Sequence, residues 1–266
     1  MAKNYDIVFV LGAGSSYEVD MPLGNELKHQ IARLFNRPQN FSVEEYSNEL
    51  IQYALRHERF QLKRGVNHFD EATKLIHRAV GSAESIDNFM HLHKGNKEIQ
   101  FCGKIGIAAA IIQAEAKSKI KGQKVSHDWN FNNTNDTWFT KLFQRIVSGK
   151  TTTEEIGTTL DRILFINFNY DRCLEHFAFS WLLNQLGKPL DEIAKLCSRL
   201  NIIRPYGSLG PLPWQNQDNM VSFGQTVDFN QLIEMASQIK TFTEGTKSDE
   251  ASKIKISILN LSLIHI

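Results

Sequence analysis

An α/β fold, a parallel sheet carrying a large and mostly helical insertion, is what this sequence predicts, and three observations predict it. Asp6 to Leu11 (DIVFVL) and Arg162 to Phe168 (RILFINF) are near-continuous apolar runs. Runs of that kind form central parallel strands covered on both faces. A weaker run, Asn201 to Arg204 (NIIR), follows them. Between the first two, the chain changes to helical periodicity. The chain has 266 residues, enough for one large domain. A single domain over residues 1–260 is expected, with the helical insertion at about residues 36–150, long for a connection.

The elements follow in order. Asn25 to Phe35 sets Leu27, Ile31, Leu34 and Phe35 on one helical face. SVEEYSNELIQYAL opens with Ser42 and Glu45 at capping-box spacing. FDEATKLIHRAV, IAAAIIQAEAKS and TWFTKLFQRIV also read as helices, and His127 to Thr137 (HDWNFNNTNDT) as a polar loop. Near the C-terminus a helical pattern, QLIEMASQIKTF, gives way to a polar loop, TEGTKSDEAS, and then to KIKISILNLSLIHI. A doubly wound sheet adds a further strand after such a segment. The last six residues, Leu261 to Ile266 (LSLIHI), look like the translation of a sequencing-library adapter. They are expected to be a non-native tail on a truncated frame, which leaves the sheet without its next strand.

Composition narrows the function. Lys plus Arg number 30 and Asp plus Glu 29, a net charge of +1, so no broad basic field marks out nucleic acid as a partner. Cys102, Cys173 and Cys197 are scattered, with no C-x-x-C pair, which argues against a structural zinc and fits a reducing cytoplasm. The N-terminus lacks a signal-peptide layout, and no run is long and apolar enough to span a bilayer. His91 and His93 stand two apart, a spacing that does not bring side chains together on a helix. No metal is expected.

Three motifs carry chemistry. After the first strand comes Gly12-Ala13-Gly14-Ser15-Ser16, with Pro22 before a helix start. Glycines there let the backbone turn and approach a ligand, and a following helix aims N–H groups at a pyrophosphate. A turn with no ligand is the plain alternative. The third glycine of G-x-G-x-x-G is missing, and no acidic residue ends a second strand about 20 residues on, so a hydride-transfer enzyme is disfavoured. The second motif, FINFNYDRCLEH, places Asn167, Asn169 and Asp171 at a strand's carboxyl end, where open α/β sheets bind ligands. A helix cap would use the same residue types. The third, IIRPYGSLG, ends a short strand in a turn with Tyr206 at its lip.

In this order the motifs resemble the sirtuin-like NAD-binding family. Gly12, Ala13, Gly14, Ser15 and Pro22 match its phosphate loop, and Asn169-Tyr170-Asp171 its Asn-x-Asp motif. Tyr206-Gly207-Ser208 stands where the family has His-Gly. SIDNFM (Ser85 to Met90) and IKTFTE (Ile239 to Glu244) look like secondary signatures of the sirtuin-like proteins of bacterial antiphage defence. The resemblance spans about residues 6–258, loosely in the insertion.

It implies a Rossmann-like sheet and NAD as substrate or ligand. Gly12, Ala13, Gly14, Ser15, Ser16 and Pro22 are expected at the dinucleotide, with Gly207 and Ser208 opposite. Asn169 is expected beside the nicotinamide ribose, and Asp171 at the carboxamide. Tyr206 departs from the family's His, and a phenol is a poor base at neutral pH. The four-cysteine zinc module of the deacylases is absent from the sequence. The resemblance therefore favours an NAD glycohydrolase of a defence system over a deacylase. The alternative is a weak or inactive nucleotide-sensing module that signals to a partner. A homo-oligomer or a defence-system partner is implied, and a membrane or direct nucleic-acid contact is not.

Overall fold

The fold is described by a computed structural model, which covers residues 5–37, 48–122, 131–216, 221–241, 244 and 263–265. It is an α/β protein with a small parallel sheet. The strands are β1 (Ile7–Leu11), β2 (Ile163–Asn167), β3 (Asn201–Ile203) and β4 (Leu263–His265). Their order is β3-β2-β1-β4, and each neighbouring pair is parallel. Ile7 stands opposite Ile163 and Leu11 opposite Asn167, so both strands end at the same level.

All three apolar runs form strands, each within a residue or two of its expected bounds. The C-terminal segment adds a fourth strand. Leu263–His265, within the segment expected to be a non-native tail, pairs with Val8 to Val10 of β1, so β1 has a neighbour on each side. The physical reason is the apolar Leu-Ile sequence beside an open central-strand edge, whose N–H and C=O groups must be satisfied.

Seven α-helices lie between β1 and β2 among the described residues: α1 (Gly24–Leu34), α2 (Glu49–Gln61), α3 (Asp70–Ala79), α4 (Ile86–Leu92), α5 (Lys97–Glu115), α6 (Trp138–Val147) and α7 (Thr153–Asp161). Then come α8 (Cys173–Leu186), α9 (Leu190–Cys197) and α10 (Phe229–Ser237). Polar caps set many of the starts. Asn48, Asn96, Thr137 and Asp228 each accept a hydrogen bond from a backbone N–H of the first turn, and Thr152 with Glu155 closes a capping box. Ser42 and Glu45 lie outside the described residues, and α2 starts instead from the Asn48 cap.

α5 is apolar on nearly every side and packs against α1, α3 and α10. It begins ten residues before the run IAAAIIQAEAKS that announced it. One face of the sheet, with Phe9 stacked on Phe165 at 5.3 Å, joins the helices in a single core. The other face gathers Val8, Leu164 and Ile166 in a separate cluster. This alternation is the strand period of two. No described helix is long and apolar enough to cross a membrane.

Candidate functional site

The carboxyl ends of β1, β2 and β3 deliver the three motifs to one region. After Leu11, the chain extends at Gly12 and enters a 3-10 turn, Ala13–Val19. Its first hydrogen bond runs from Ser15 N to the Gly12 carbonyl at 2.9 Å, so the N–H groups of Ala13 and Gly14 stand ahead of it. The expected helix near Leu23 is present as α1, but it follows the 3-10 turn and a left-handed Asp20 rather than the glycines directly. Pro22 is buried at that junction, ahead of α1 and apart from the turn.

Gly12 and Gly14 have no left-handed backbone. A Cβ built on either meets nothing within 4 Å. Neither glycine is therefore demanded by the turn's own conformation or packing, and the space over them stays open. Ala13 and Gly14 are exposed, whereas Ser15 and Ser16 are buried.

Asn169 ties this turn to the β2 motif. Its Nδ2 donates to the Gly12 carbonyl at 2.8 Å and lies 3.1 Å from Ser15 Oγ and 3.2 Å from Ser16 Oγ. Asn169 N in turn donates to Asn167 Oδ1 at 3.0 Å. Ser16 Oγ donates to Asp171 Oδ1 at 3.1 Å, and the same oxygen accepts from Cys173 N at 3.0 Å, at the start of α8. Asp171 is thus both a bridge to the glycine turn and the cap-like contact that the plain reading anticipated. Burial raises its carboxyl pKa, and the Arg204 charge offsets part of that.

The β3 motif joins through Arg204. Its Nη1 donates to the Asn169 carbonyl at 2.6 Å, and its guanidinium grips Glu175 with Nη2 2.7 Å from each carboxylate oxygen. Tyr206 packs its ring edge-on against Phe168, centroids 5.5 Å apart. Gly207 has φ +70°, and a Cβ there would fall 1.9 Å from the Gln238 carbonyl oxygen. That glycine has a structural cause. Ser208 Oγ accepts from Gly210 N at 3.3 Å. Ser208 and Arg204 also line a cleft of about 520 Å³ with Leu200, Ile202, Trp214 and Gln238. The cleft lies along β3 and includes neither glycine of the turn nor Asn169.

The two secondary signatures reach the same region. Tyr170 OH donates to Asp87 Oδ1 at 2.6 Å. Lys240 N donates to the Tyr206 carbonyl at 2.9 Å. Glu244 pairs with Lys104 at 2.9 Å, and its charge acts on Tyr170. Burial raises the Asp87 carboxyl, against the lowering effect of the Tyr170 hydrogen bond. Burial and then the Asp87 charge raise the Tyr206 phenol, so Tyr206 stays protonated. Sequence reasoning noted Asp87 inside SIDNFM without giving it a role. Its only signal is an acid at a helix start, which is also an ordinary helix-terminal acid.

No group of His, Cys, Asp or Glu side chains poised to hold a metal occurs among the described residues. Comparisons with protein-family models, with curated proteins and with solved structures give no match. The likeness to sirtuin-like proteins therefore rests on the motifs and their order along the chain.

Proposed function

We propose that this chain binds NAD across the Gly12–Ser16 turn and hydrolyses its nicotinamide–ribose bond, as an NAD glycohydrolase of the sirtuin-like type acting in antiphage defence in the cytoplasm. One observation carries the reading. The Asn169 amide bonds the Gly12 carbonyl and meets both serine hydroxyls. The two family motifs thereby form one structure at the carboxyl ends of adjacent parallel strands, where open α/β sheets take their ligands.

Two further facts support it. The order β3-β2-β1-β4 follows the first four strands of the doubly wound, Rossmann-like arrangement, and it reverses direction between β1 and β4, beside Gly12. The helices α1–α7 then take the place of an insertion between the first two strands. The open space over Gly12 and Gly14 is what a pyrophosphate needs to approach backbone N–H groups closely. In the reaction, the bond from the anomeric carbon to nicotinamide breaks and its electron pair leaves with nicotinamide. A water oxygen bonds the same carbon and gives up a proton. Buried polar groups around Asn169 serve such a step by stabilising charge as it develops on the ribose.

A second reading, a nucleotide-sensing module, is favoured by Tyr206, a neutral phenol where the family has a His. One experiment separates the two. NAD binding is followed by calorimetry and nicotinamide release by chromatography, in wild type and in Gly14→Val. Wild type binds and cleaves NAD if it is an enzyme, and binds without cleavage if it is a sensor. Gly14→Val folds normally, because its Cβ meets open space, and surface changes of that kind stay within about 0.5 kcal/mol. Its NAD affinity falls at least tenfold. Unchanged affinity in the folded variant rejects the glycine turn as the NAD site.

A further inference from the structure

We propose that Asp87, from the start of α4, is the group that accepts the proton of the attacking water, the task that Tyr206 leaves unfilled. The inference rests on the NAD-hydrolysing reading above and adds the residue that completes it.

Several carboxylates gather at this end of the sheet. Glu115 is locked to Arg172, with Oε2 2.6 Å from Nη2, and both are fully buried. Glu175 is held in two-point contact by Arg204. Glu244 is paired with Lys104. Asp171 is 4% exposed and uses one oxygen for both Ser16 and the Cys173 amide. Asp87 differs from all four. It is partly exposed, and its carboxylate takes the Tyr170 hydroxyl and its own backbone N–H, and no cation among the described residues pairs with it.

Position and chemistry agree with this. Tyr170 lies between Asn169 and Asp171, so the hydroxyl that bonds Asp87 belongs to the Asn-x-Asp motif itself. The Asp87 charge also acts on the Tyr206 phenol across the turn after β3. Among the described residues, two phenols feel the Asp87 charge, both pushed upward and both neutral at working pH. A neutral phenol on Asp87 Oδ1 orients the carboxylate without neutralising it. Burial lifts the Asp87 pKa toward the operating range, as suits a general base. The step balances. Water supplies the oxygen that bonds the anomeric carbon, nicotinamide leaves with the broken bond's electron pair, and the water proton passes to Asp87.

The test uses the full chain, NAD as the probe, and Asp87→Asn and Asp87→Glu variants. Asparagine still accepts from Tyr170, so the fold keeps that contact. The expected result for Asp87→Asn is nicotinamide release lowered a hundredfold or more, the usual range for a lost general base, with NAD affinity within about threefold of wild type. Wild-type kcat falls on the acid side as Asp87 protonates, Asp87→Asn loses that limb, and Asp87→Glu recovers part of the rate. Wild-type turnover in Asp87→Asn overturns the proposal and leaves the NAD-hydrolase reading standing. Loss of NAD affinity together with turnover assigns Asp87 a structural role and also overturns it. Wild type that binds NAD without cleaving it overturns the proposal in favour of the sensing module. Wild type that neither binds nor cleaves overturns both readings.

Discussion

The Asn169 amide faces the Gly12 carbonyl and two serine hydroxyls, and an alanine there would leave them without that donor. A hydrogen bond of this kind is worth about 1 kcal/mol net, and an abandoned buried acceptor costs more. Asn169→Ala is therefore expected to destabilise the fold by about 1–3 kcal/mol and to loosen the turn that it braces. NAD affinity should drop along with any cleavage, which calorimetry and a denaturant titration on the same preparation would show. An alanine variant with full affinity would mean that the turn holds its shape without the clamp. The motif letters were legible in the sequence, but this division of work was not. Asn169 and Asp171 read equally well as ligand contacts and as a helix cap, because the same donors and acceptors serve both. The structure shows their hydrogen bonds directed to the glycine turn and to the start of α8. Gly207 followed a similar course. Its place in Y-G-S suggests a ligand, and its left-handed backbone against Gln238 gives it a packing reason of its own.

At the scale of elements, strands and most helices followed from local pattern, since apolar runs and 3.6-residue stripes are local signals. What sequence did not reveal was how distant elements are pinned together. Arg172, at the start of α8, reaches Glu115, at the end of α5, with Nε 3.1 Å from Oε1, and donates through Nη1 to the Val221 carbonyl at 2.7 Å. Gly224 N also donates to Glu115 Oε2 at 3.3 Å. Neither charge announces its partner in the sequence, because an Arg and a Glu more than fifty residues apart carry no periodic signature. Glu115→Gln leaves the guanidinium buried without its counter-charge. A loss of about 3–5 kcal/mol is expected, the range for breaking a buried pair from one side. Urea unfolding measures it directly, and a change below about 1 kcal/mol would mean that water reaches Arg172.

Across the whole molecule, His176 makes stability depend on pH. Its ring stacks on Phe223 at 4.2 Å and its Nε2 lies 2.8 Å from the Ile120 carbonyl. Burial lowers its pKa from 6.5 to about 4. The unfolded chain therefore binds a proton in the interval between those values while the folded chain does not. Stability from this residue is complete above pH 6.5 and declines as pH falls toward 4, by up to about 1.4 kcal/mol per pH unit. Melting curves at pH 7 and pH 5 should differ, and His176→Gln should narrow the gap. An equal gap in the variant would assign the acid sensitivity to other groups.

The pairing of β1 with β2 joins Ile7 to Ile163. A ribosome adding about 5–20 residues per second takes roughly 8–30 s to make the chain between them. For that interval the first strand has been synthesised and its central neighbour has not. The Phe9 face and the unpaired backbone edge of β1 wait in the meantime, with helices and no further strand emerging behind them among the described residues. Those helices close on local contacts, whereas the sheet closes over a very long loop, the slow step by contact-order reasoning. β1 is thus made long before the strand beside it and is among the last elements to be satisfied. A nascent chain arrested before residue 163 would present an apolar β edge to chaperones, and release of the chain past β2 would withdraw it.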